Sequence, residues 1–352
     1  MDWTKSGIEH EWEYQLVDPK DLQTVRGWLA NVTDGKLTEA YRGDMRSQLI
    51  LNIDGGDIPL NAAVRVWHVA TYGSETLREC LGTFHPDPFG GKYEYGRITG
   101  DVSLRSSLAR LDSTLGKQVR SVGKSNVIAH FREIVGWALC VPWVTPNWNT
   151  SKNFAEAYVW VMAEKSVYDE AQRCADAING YLGVDELGRV TLTPYKRPKD
   201  MGESWGLLPG EITHLGVEVE VPEVVNRVTA KYENNGKTYT SVEDLDASHP
   251  WSKESLGRIE SFALTSVQVE EGANIQRTLD DAVKKELESK TSATKTYSVD
   301  ANYSSGVRCG TAGRLVYVDS PEDNGINSKV FCSGREVSLD FKADMRLTLE
   351  EI

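Results

Sequence analysis

The sequence predicts an α+β fold that is mainly β, with two β regions around a helical insert. Segments in which apolar and polar residues alternate recur through residues 1–115 and again from Thr213 onward. Between them, apolar residues recur at helical spacing, and Ser166 and Asp169 stand where they can cap a helix. Nowhere along this order do reactive side chains gather in a catalytic pattern, so the sequence favours a structural protein.

The N-terminal region is predicted to contain five short strands. In the first of them, Trp12, Tyr14 and Leu16 alternate with charged or polar neighbours, as in a half-buried strand. Turn signals at residues 54–57 and 89–91 separate later segments. Strands at this spacing favour a small barrel or sandwich. The other four strands are predicted at residues 48–53, 62–70, 76–84 and 97–104.

The insert is predicted to contain two helices and a hairpin. Ser125 can cap the first helix, which ends in a tryptophan-rich stretch. The second helix is predicted over residues 166–182, because Gly180 and Gly183 stand where it should stop, and a hairpin follows at residues 184–195. The apolar positions of the first helix are Ile128, Phe131, Val135 and Leu139, and the tryptophans are Trp137, Trp143 and Trp148.

The C-terminal region is predicted to be β again, with one polar helix. A strand is predicted over residues 224–232, and a helix over residues 274–287 carries a narrow apolar stripe that packs on one side only. In the closing strands, Val337, Leu339 and Phe341 are predicted to share a buried face. The stripe consists of Ile275, Leu279, Val283 and Leu287, and the remaining strands are predicted at residues 295–303, 315–319, 329–341 and 345–349.

Composition excludes several classes of protein. The 352-residue chain carries a formal net charge of −13, which argues against wrapping of nucleic acid, because phosphate binding needs clustered Lys and Arg. The N-terminus lacks the apolar core of a signal peptide, and no stretch reaches the ~18 apolar residues of a membrane span. We therefore expect a protein without a membrane span that folds in a reducing cytoplasm.

The five cysteines are scattered and form no CxxC pair, which disfavours a zinc site. Cys309 and Cys332 flank neighbouring predicted strands and can meet in space. Because the spacing is no disulfide framework, reduced packing residues are the favoured interpretation. The six histidines also lack metal-ligand spacing, and each is interpreted as a structural or surface residue: His10, His68, His85, His130, His214 and His249.

Catalytic patterns are weak throughout. Carboxylates are numerous, so their number alone leaves a glycosidase-like acid pair open. Nothing in the sequence distinguishes the nominal candidates from carboxylates on a solvated surface. Residues 121–125 resemble the tail of a phosphate loop, but Gln118 stands where its first glycine is needed. No GxSxG elbow is present. We therefore predict no enzyme activity, no catalytic or metal residues and no cofactor. The nominal carboxylates are Glu218, Glu220, Asp244 and Asp246.

Several stretches resemble the tail-hub proteins of tailed bacteriophages, which are similar to the hub half of contractile injection spikes. Residues 171–195, AQRCADAINGYLGVDELGRVTLTPY, resemble the insert of that family, in which a helix precedes a small hairpin. Residues 224–232, VVNRVTAKY, resemble the entry to its second barrel, and residues 246–260 resemble a recurrent loop before the next strand. The resemblance covers most of residues 125–352.

This resemblance implies two tail-tube-like β-barrel domains, residues 1–115 and 211–352, with a helix-containing domain inserted at residues 116–210. The second barrel would carry an inserted loop and a helix near residues 274–288. In the family, three subunits form a ring that joins the tail tube or a distal tail protein to tip, spike or fibre proteins, with the tape measure protein as a further partner.

The resemblance places the protein in the virion, at the tail tip, after assembly in the host cytoplasm. DNA would pass through the ring during ejection without specific binding. An acidic inner wall would repel DNA and let it slide. Two alternatives stay open. One is a tail-tip enzyme or carbohydrate-binding protein that acts on the host envelope, and the ten tryptophans, although better explained by core or subunit packing, leave sugar stacking open. The other is a general soluble β-rich binding module.

Overall fold

A computed structural model of the chain describes residues 3, 5, 7–41, 47–56, 61–87, 92–94, 97–114, 119–138, 142–220, 225–234, 236–249, 251–265, 267, 274–291, 294–318 and 325–352. The chain divides into two compact units, Met1–Gly216 with Tyr297–Ile352, and Val217–Thr296. The turn predicted at 89–91, Leu139, Cys140 and Val224 lie outside the described residues. The division into three domains stays a prediction.

Strands dominate the described residues, which confirms an α+β fold that is mainly β. The helices are α1 Ser107–Leu111, α2 Val127–Trp137, α3 Val167–Ala177, α4 Lys253–Leu256 and α5 Ile275–Thr291, with a 3-10 turn at Pro198–Asp200. The strands are β1 Glu9–Val17, β2 Val25–Trp28, β3 Val32–Ala40, β4 Ser47–Gly56, β5 Ala63–Tyr72, β6 Glu75–Pro86, β7 Lys92–Glu94, β8 Arg97–Arg105, β9 Val119–Val122, β10 Tyr158–Val161, β11 Gly180–Val184, β12 Val190–Pro194, β13 Glu203–Leu207, β14 Ile212–Glu220, β15 Arg227–Asn234, β16 Lys237–Asp244, β17 Ser261–Leu264, β18 Thr294–Asn302, β19 Ala312–Tyr317, β20 Ile326–Ser338 and β21 Asp344–Glu351.

One fourteen-stranded sheet unites the two ends of the chain. Its main path runs β14-β18-β21-β20-β3-β4-β8-β6-β5-β1-β2, and β7, β13 and β19 pair beside this path. The junction is the antiparallel ladder between β3 and β20, in which Leu37 lies opposite Val337 and Glu39 lies opposite Arg335. Strands from the N-terminal and C-terminal regions therefore belong to one sheet. The arrangement of this sheet as two barrels stays a prediction.

The core of the large unit lies on one side of this sheet. Leu49 and Leu51 of β4 are fully buried, as are Leu347 and Leu349 of β21, while the residues between them face outward. This period of two follows from the pleat of a strand. Full burial of each such side chain stabilises the fold by roughly 1.5–3 kcal/mol relative to exposure. The same core includes Val64, Val66, Val102, Leu104, Tyr297, Val299 and Val337.

All five predicted N-terminal strands are present, as β1, β4, β5, β6 and β8, but β2, β3 and β7 are additional. The centre of β3 consists of Asp34, Gly35 and Lys36, which are turn formers rather than strand formers. Its two neighbours hold it as a strand. A Cβ at Gly35 would lie 2.8 Å from Leu51 Cδ2 and 2.9 Å from the Ile50 carbonyl, so close packing requires glycine there. Tertiary pairing overrides local propensity in this strand.

Helix α2 begins one residue later than predicted. Asn126, rather than Ser125, is its N-cap, because the Asn126 side chain accepts the Ala129 N–H at 2.9 Å. The predicted apolar face is confirmed within the described residues, where Ile128, Phe131 and Val135 are buried. This helix and α3 share a second core, and the tryptophans pack at its margin: Trp137, Trp143 and Trp148.

The capping pair of α3 is confirmed, but its predicted end is wrong. Ser166 Oγ accepts the Asp169 N–H at 3.2 Å, and the Asp169 carboxylate accepts the Ser166 N–H at 2.8 Å. The helix ends at Ala177 and not at residue 182, because Asn179 adopts the left-handed conformation with φ 54°. Leu182 belongs instead to the hairpin of β11 and β12, which confirms a hairpin directly after the helix.

The small unit consists of a three-stranded sheet, ordered β16-β15-β17, and helix α5. Asn274 precedes the helix and accepts the Arg277 N–H at 3.2 Å. Leu279, Val283 and Leu287 of α5 are buried in the core of this unit, while most other described helix residues are exposed or half-buried. One-sided packing of this helix is therefore confirmed.

The predicted burial of Phe341 is wrong. Strand β20 ends before this residue, and the Asp340 carboxylate accepts the Lys342 N–H at 2.8 Å in the turn to β21. Val337 and Leu339 are buried as predicted, whereas 79% of Phe341 is exposed. The turn interrupts the alternation that would have placed Phe341 on the buried face.

Candidate functional site

The four candidate carboxylates lie in the small unit, and the side chains of Glu218, Asp244 and Asp246 are described. Glu218 is exposed on β14, the strand that also carries Glu220. Asp244, at the end of β16, receives hydrogen bonds from Arg227 Nε and Lys253 Nζ, each at 2.6 Å. These bonds, that from Arg227 first, hold the pKa of Asp244 well below its usual range.

The fourth carboxylate, Asp246, organises a local turn. Its Oδ1 accepts the Ser248 hydroxyl at 2.6 Å and the Ser248 N–H at 2.9 Å, and both bonds lower the pKa of Asp246. A glycosidase acid needs the opposite shift, because it must hold a proton at the working pH. Asp244 and Asp246 are therefore ionised groups that stabilise loops.

A buried polar cluster that sequence reasoning missed joins four segments of the large unit. His10 Nδ1 lies 2.9 Å from His68 Nε2, and His68 Nδ1 lies 3.5 Å from the Glu79 carboxylate. The Tyr303 hydroxyl donates to the same carboxylate, and Arg308 reaches it at 2.9 Å. Burial raises the pKa of Glu79, but hydrogen bonds from His68 and Tyr303 and the Arg308 charge bring it below its ordinary value.

Aromatic rings seal this cluster. The rings of Trp3, Trp12 and Tyr303 pack against His68 with centroid distances of 6.1, 4.6 and 4.1 Å, respectively. His68 is fully buried, and burial together with His68 lowers the pKa of His10 to about 4. The His10 imidazole is thus neutral at pH 7. The cluster fastens the N-terminal strand to the segment after β18.

A second cluster docks the insert hairpin on the N-terminal strands. Arg110 donates to His85 Nδ1 at 3.0 Å, so Nε2 carries the proton and donates to the Ser107 hydroxyl at 3.0 Å. Ser107 in turn donates to the Gly188 carbonyl at 2.5 Å, in the turn of the hairpin. Burial first, and the Arg110 charge second, lower the pKa of His85 to about 3. The neutral His85 imidazole therefore accepts a hydrogen bond from Arg110 and donates one to Ser107.

The helical core contains a third buried polar group. His130 Nε2 lies 2.8 Å from the Glu170 carboxylate, and the Tyr158 hydroxyl donates to the same oxygen. His130 and Glu170 are almost completely buried. The Glu170 carboxylate thus has two hydrogen-bond partners, which matters because a buried charge without partners would cost several kcal/mol. This group links α2, α3 and β10.

Cys309 and Cys332 meet in space. Their thiols lie within hydrogen-bonding range, and the bond from Cys332, followed by burial, raises the pKa of Cys309 far above its ordinary value. Cys80 and Cys174 are buried thiols as well. The thiolate is the reactive form of cysteine. Each described cysteine is therefore a free thiol that packs, as the sequence indicated.

A cavity of about 340 Å³ opens beside Cys309. Its walls include Tyr41 and Tyr181, whose rings stack with centroids 5.1 Å apart, together with Glu39 and Lys196. The Cys309 thiol also lines the cavity and is held protonated by its raised pKa. The cavity therefore offers a contact surface of mixed polarity.

Fifteen mostly polar residues on the outward side of β18, β21, β20, β3, β4 and β8 form a surface that we name the polar face. These strands are consecutive in the sheet, and their other side is the main core. Short side chains predominate on it, many of them Ser, Thr, Asn or Gln. The polar face consists of Ser298, Asp300, Asp344, Arg346, Thr348, Glu336, Ser338, Lys36, Thr38, Gln48, Ile50, Asn52, Asp101, Ser103 and Arg105.

Charges on the polar face are paired. Lys36 Nζ lies 2.7 Å from Glu336, across the junction of β3 and β20. Arg346 Nε lies 2.9 Å from Asp300. The third cation, Arg105, lies 2.8 Å from Asp87. Every cation among the fifteen residues of the polar face is thus neutralised by a carboxylate.

Membrane-spanning helices and metal-binding clusters are two further features that bear on function. No helix among them is long and apolar enough to cross a membrane. No group of three or more His, Cys, Asp or Glu side chains within the described ranges is arranged to hold a metal ion.

Solved structures identify the fold, although no known family model and no curated protein matches the sequence. A tail protein from Neisseria meningitidis MC58 matches with a TM-score of 0.62 and 13% identity, over 97% of each chain. The 43 kDa tail protein of prophage MuSo2 from Shewanella oneidensis matches with a TM-score of 0.56 and 13% identity, over 97% of this chain and 98% of that one.

A third match is to a Francisella PdpA–VgrG complex, with a TM-score of 0.61 and 10% identity, over 98% of this chain and 58% of that one. The chain therefore has the fold of phage and prophage tail proteins along almost its whole length. The resemblance to tail hubs that the sequence indicated is confirmed at the level of the fold.

Proposed function

We propose that the protein is a structural component of a phage tail tip, where three copies form a hub ring. The observation that carries this proposal is the fold shared with two tail proteins over almost the full length of all three chains. The ring would join the tail tube, or a distal tail protein, to tip, spike or fibre proteins, and it would let DNA pass during ejection. Its place would be the virion, after assembly in the host cytoplasm.

Two barrels in each subunit would supply the ring. Twisted open sheets rarely exceed about ten strands without curling or splitting, and this sheet has fourteen. Curling of its N-terminal and C-terminal portions would give barrels at residues 1–115 and 211–352, with residues 116–210 as the insert. The β3–β20 ladder would then join the barrels edge to edge within one subunit.

Surface residues favour self-association. Val25 and Trp28 of β2, at one end of the main sheet, are 51% and 53% exposed, and Phe341 is 79% exposed in its turn. Exposed aromatic and β-branched residues of this kind are typical of subunit contacts. The Francisella match is to a chain of a PdpA–VgrG complex, which supports association of this fold with other proteins. The partners that we propose for this protein are tip proteins and the tape measure protein.

A structural role needs no catalytic residue, and the polar clusters described above support that role. The His10, His85 and His130 groups each join separate segments through hydrogen bonds. Asp244 and Asp246 are ionised and locally bound. DNA would pass such a protein without specific binding, and no enzyme activity is expected.

Sedimentation velocity combined with negative-stain imaging tests this function. The full chain is expected to form a discrete trimer with a central hole as its concentration rises. A particle that stays monomeric at high concentration, or a trimer without a hole, would overturn the proposal. Incubation with cell walls provides the second test, because released fragments would establish an envelope-degrading enzyme instead.

A further inference from the structure

We propose that the polar face lines the passage of the ring, and this inference rests on the ring proposed above. It assigns a specific surface of fifteen residues to the contact with moving DNA. The assignment follows from the topology of the sheet, the side chains on that surface and the pairing of their charges.

Topology comes first, because a wall shared by both halves of the subunit must contain strands from both halves. The ladder of β3 with β20 is the place where N-terminal and C-terminal strands join. The polar face extends over three strands on each side of this ladder without interruption. The outer side of β1, β5 and β6 is built from N-terminal strands alone, so it cannot continue into the second half.

Side-chain chemistry gives the second argument. On the polar face, Thr38 lies opposite Gln48 and Glu336, and Thr348 lies opposite Gly334. Seven of the fifteen residues of the polar face are Ser, Thr, Asn or Gln, whose uncharged side chains bind water. The outer side of β1, β5 and β6 instead carries Trp67, with the Arg78 guanidinium stacked 3.9 Å from its ring centroid. Large amphipathic groups suit protein contacts better than a passage for a sliding polymer.

Charge gives the third argument. Proteins hold DNA mainly through Lys and Arg that release counterions from phosphates. Each cation of the polar face is already bound to a carboxylate, and the face carries four acidic residues, Asp101, Asp300, Glu336 and Asp344, against three basic ones. These fifteen residues therefore offer phosphates no unpaired cation. On the same side of the strands, Asp34, Asp54 and Glu350 add negative charge, and Lys329 of β20 donates to the Lys199 carbonyl at 3.0 Å. DNA in contact with this surface would not adhere.

Cysteine accessibility tests the assignment on the full chain. Thr38→Cys and Thr348→Cys place thiols at two exposed positions of the polar face, and the change is small enough to preserve the fold. Each variant is treated with a small maleimide, and separately with a maleimide joined by a short linker to streptavidin, which is too wide for a passage that admits one DNA duplex. Labelling is compared in assembled protein and in dilute protein below the assembly concentration.

In assembled protein, the small reagent is expected to label both variants fully, while the streptavidin reagent labels them at least tenfold more slowly than in dilute protein. Lys165→Cys, an exposed position in the insert, is the control and should react with both reagents in both states. The unmodified chain gives the background of its native thiols.

The outcomes separate the two proposals. If the chain does not assemble at high concentration, the ring itself fails, and this inference fails with it. If the chain assembles but both polar-face cysteines react with the streptavidin reagent as fast as Lys165→Cys does, the ring stands and the assignment of its lining is overturned. If neither reagent labels the assembled variants, the polar face is a subunit contact, which also overturns the assignment.

Discussion

Arg335 of β20 lies directly opposite Glu39 of β3, and its fully buried guanidinium donates from Nε to the Glu39 carboxylate. The same guanidinium donates from Nη1 to the Val307 carbonyl at 2.7 Å. The pair is separated by 296 positions in the sequence and sits in the ladder that joins the two ends of the chain. The pair therefore adds a buried ionic contact to the hydrophobic core at that junction.

Loss of one partner of this pair should be costly. Glu39→Gln leaves a buried cation without its carboxylate, and removal of one partner from a buried pair typically costs about 3–5 kcal/mol. Urea unfolding followed by circular dichroism measures the change. The double variant Arg335→Met with Glu39→Gln should recover much of the loss, because an apolar side chain replaces the stranded charge.

An exposed ion pair provides the matched control. Glu203→Gln breaks the pair of Glu203 with Arg314, whose side chains are 34% and 43% exposed, and should cost no more than about 1 kcal/mol. Equal losses for Glu39→Gln and Glu203→Gln would show that the Arg335 pair does not stabilise the junction.

The apolar stripe of α5 should determine the stability of the small unit. Leu279 is fully buried against β15 and β16, so Leu279→Ala removes core contacts and should cost about 2–5 kcal/mol. Hydrogen exchange measured by mass spectrometry should show faster exchange within Val217–Thr296. Lys284→Ala, at an exposed position of the same helix, is the control and should leave exchange unchanged. Unchanged exchange in Leu279→Ala would contradict the packing of this helix.

Acid should destabilise the protein through His85. Its folded pKa of about 3 lies below the ordinary value of 6.5, so between these pH values His85 binds a proton in the unfolded chain but not in the folded chain. The stabilisation is complete above pH 6.5 and is lost as pH falls toward 3, with a loss of about 3 kcal/mol by pH 4. His10, with its lowered pKa, acts in the same direction but is half exposed, which weakens its effect.

Urea unfolding at a series of pH values measures this loss. His85→Gln should lower the free energy of unfolding at pH 7. Between pH 6.5 and 4 this free energy should fall less steeply than in the unmodified chain, because about one proton fewer is taken up on unfolding. His214→Gln, at an exposed position, should leave the decline as it is in the unmodified chain. A decline that is equally steep in His85→Gln would exclude His85 as its cause.

Local pattern predicted the elements whose signals are complete within one segment. The stripe of α5, the Ser166–Asp169 cap and the alternation of β1 each depend on neighbours a few residues apart, and each was confirmed. Strand β3 was not predictable in this way, because Asp34 and Gly35 adopt a strand only between two partners supplied by distant segments. The end of α3 depended on one left-handed Asn rather than on the glycines after it.

The polar clusters were hidden for the same reason. His10 contacts His68 across 58 positions, and Tyr303 contacts Glu79 across 224, so no local spacing could reveal either pair. One signal was present in the sequence. Arg335 stands at a core-facing position two residues before Val337, and a charged residue in a buried register implies a distant partner of opposite charge.

Release of the cations on the polar face should strengthen DNA binding relative to the native chain. Asp300→Asn with Glu336→Gln removes the partners of Arg346 and Lys36, and free cations bind phosphates with an affinity that falls as salt rises. Fluorescence anisotropy of a labelled duplex should therefore show binding at least about tenfold tighter than the unmodified chain at low salt, and most of it should be lost by about 200 mM salt. The matched control is Glu13→Gln with Glu203→Gln, which makes the same change in net charge but frees Arg78 and Arg314, away from the polar face. Equal binding by the two double variants would mean that net charge, and not the pairing on this surface, keeps DNA from adhering.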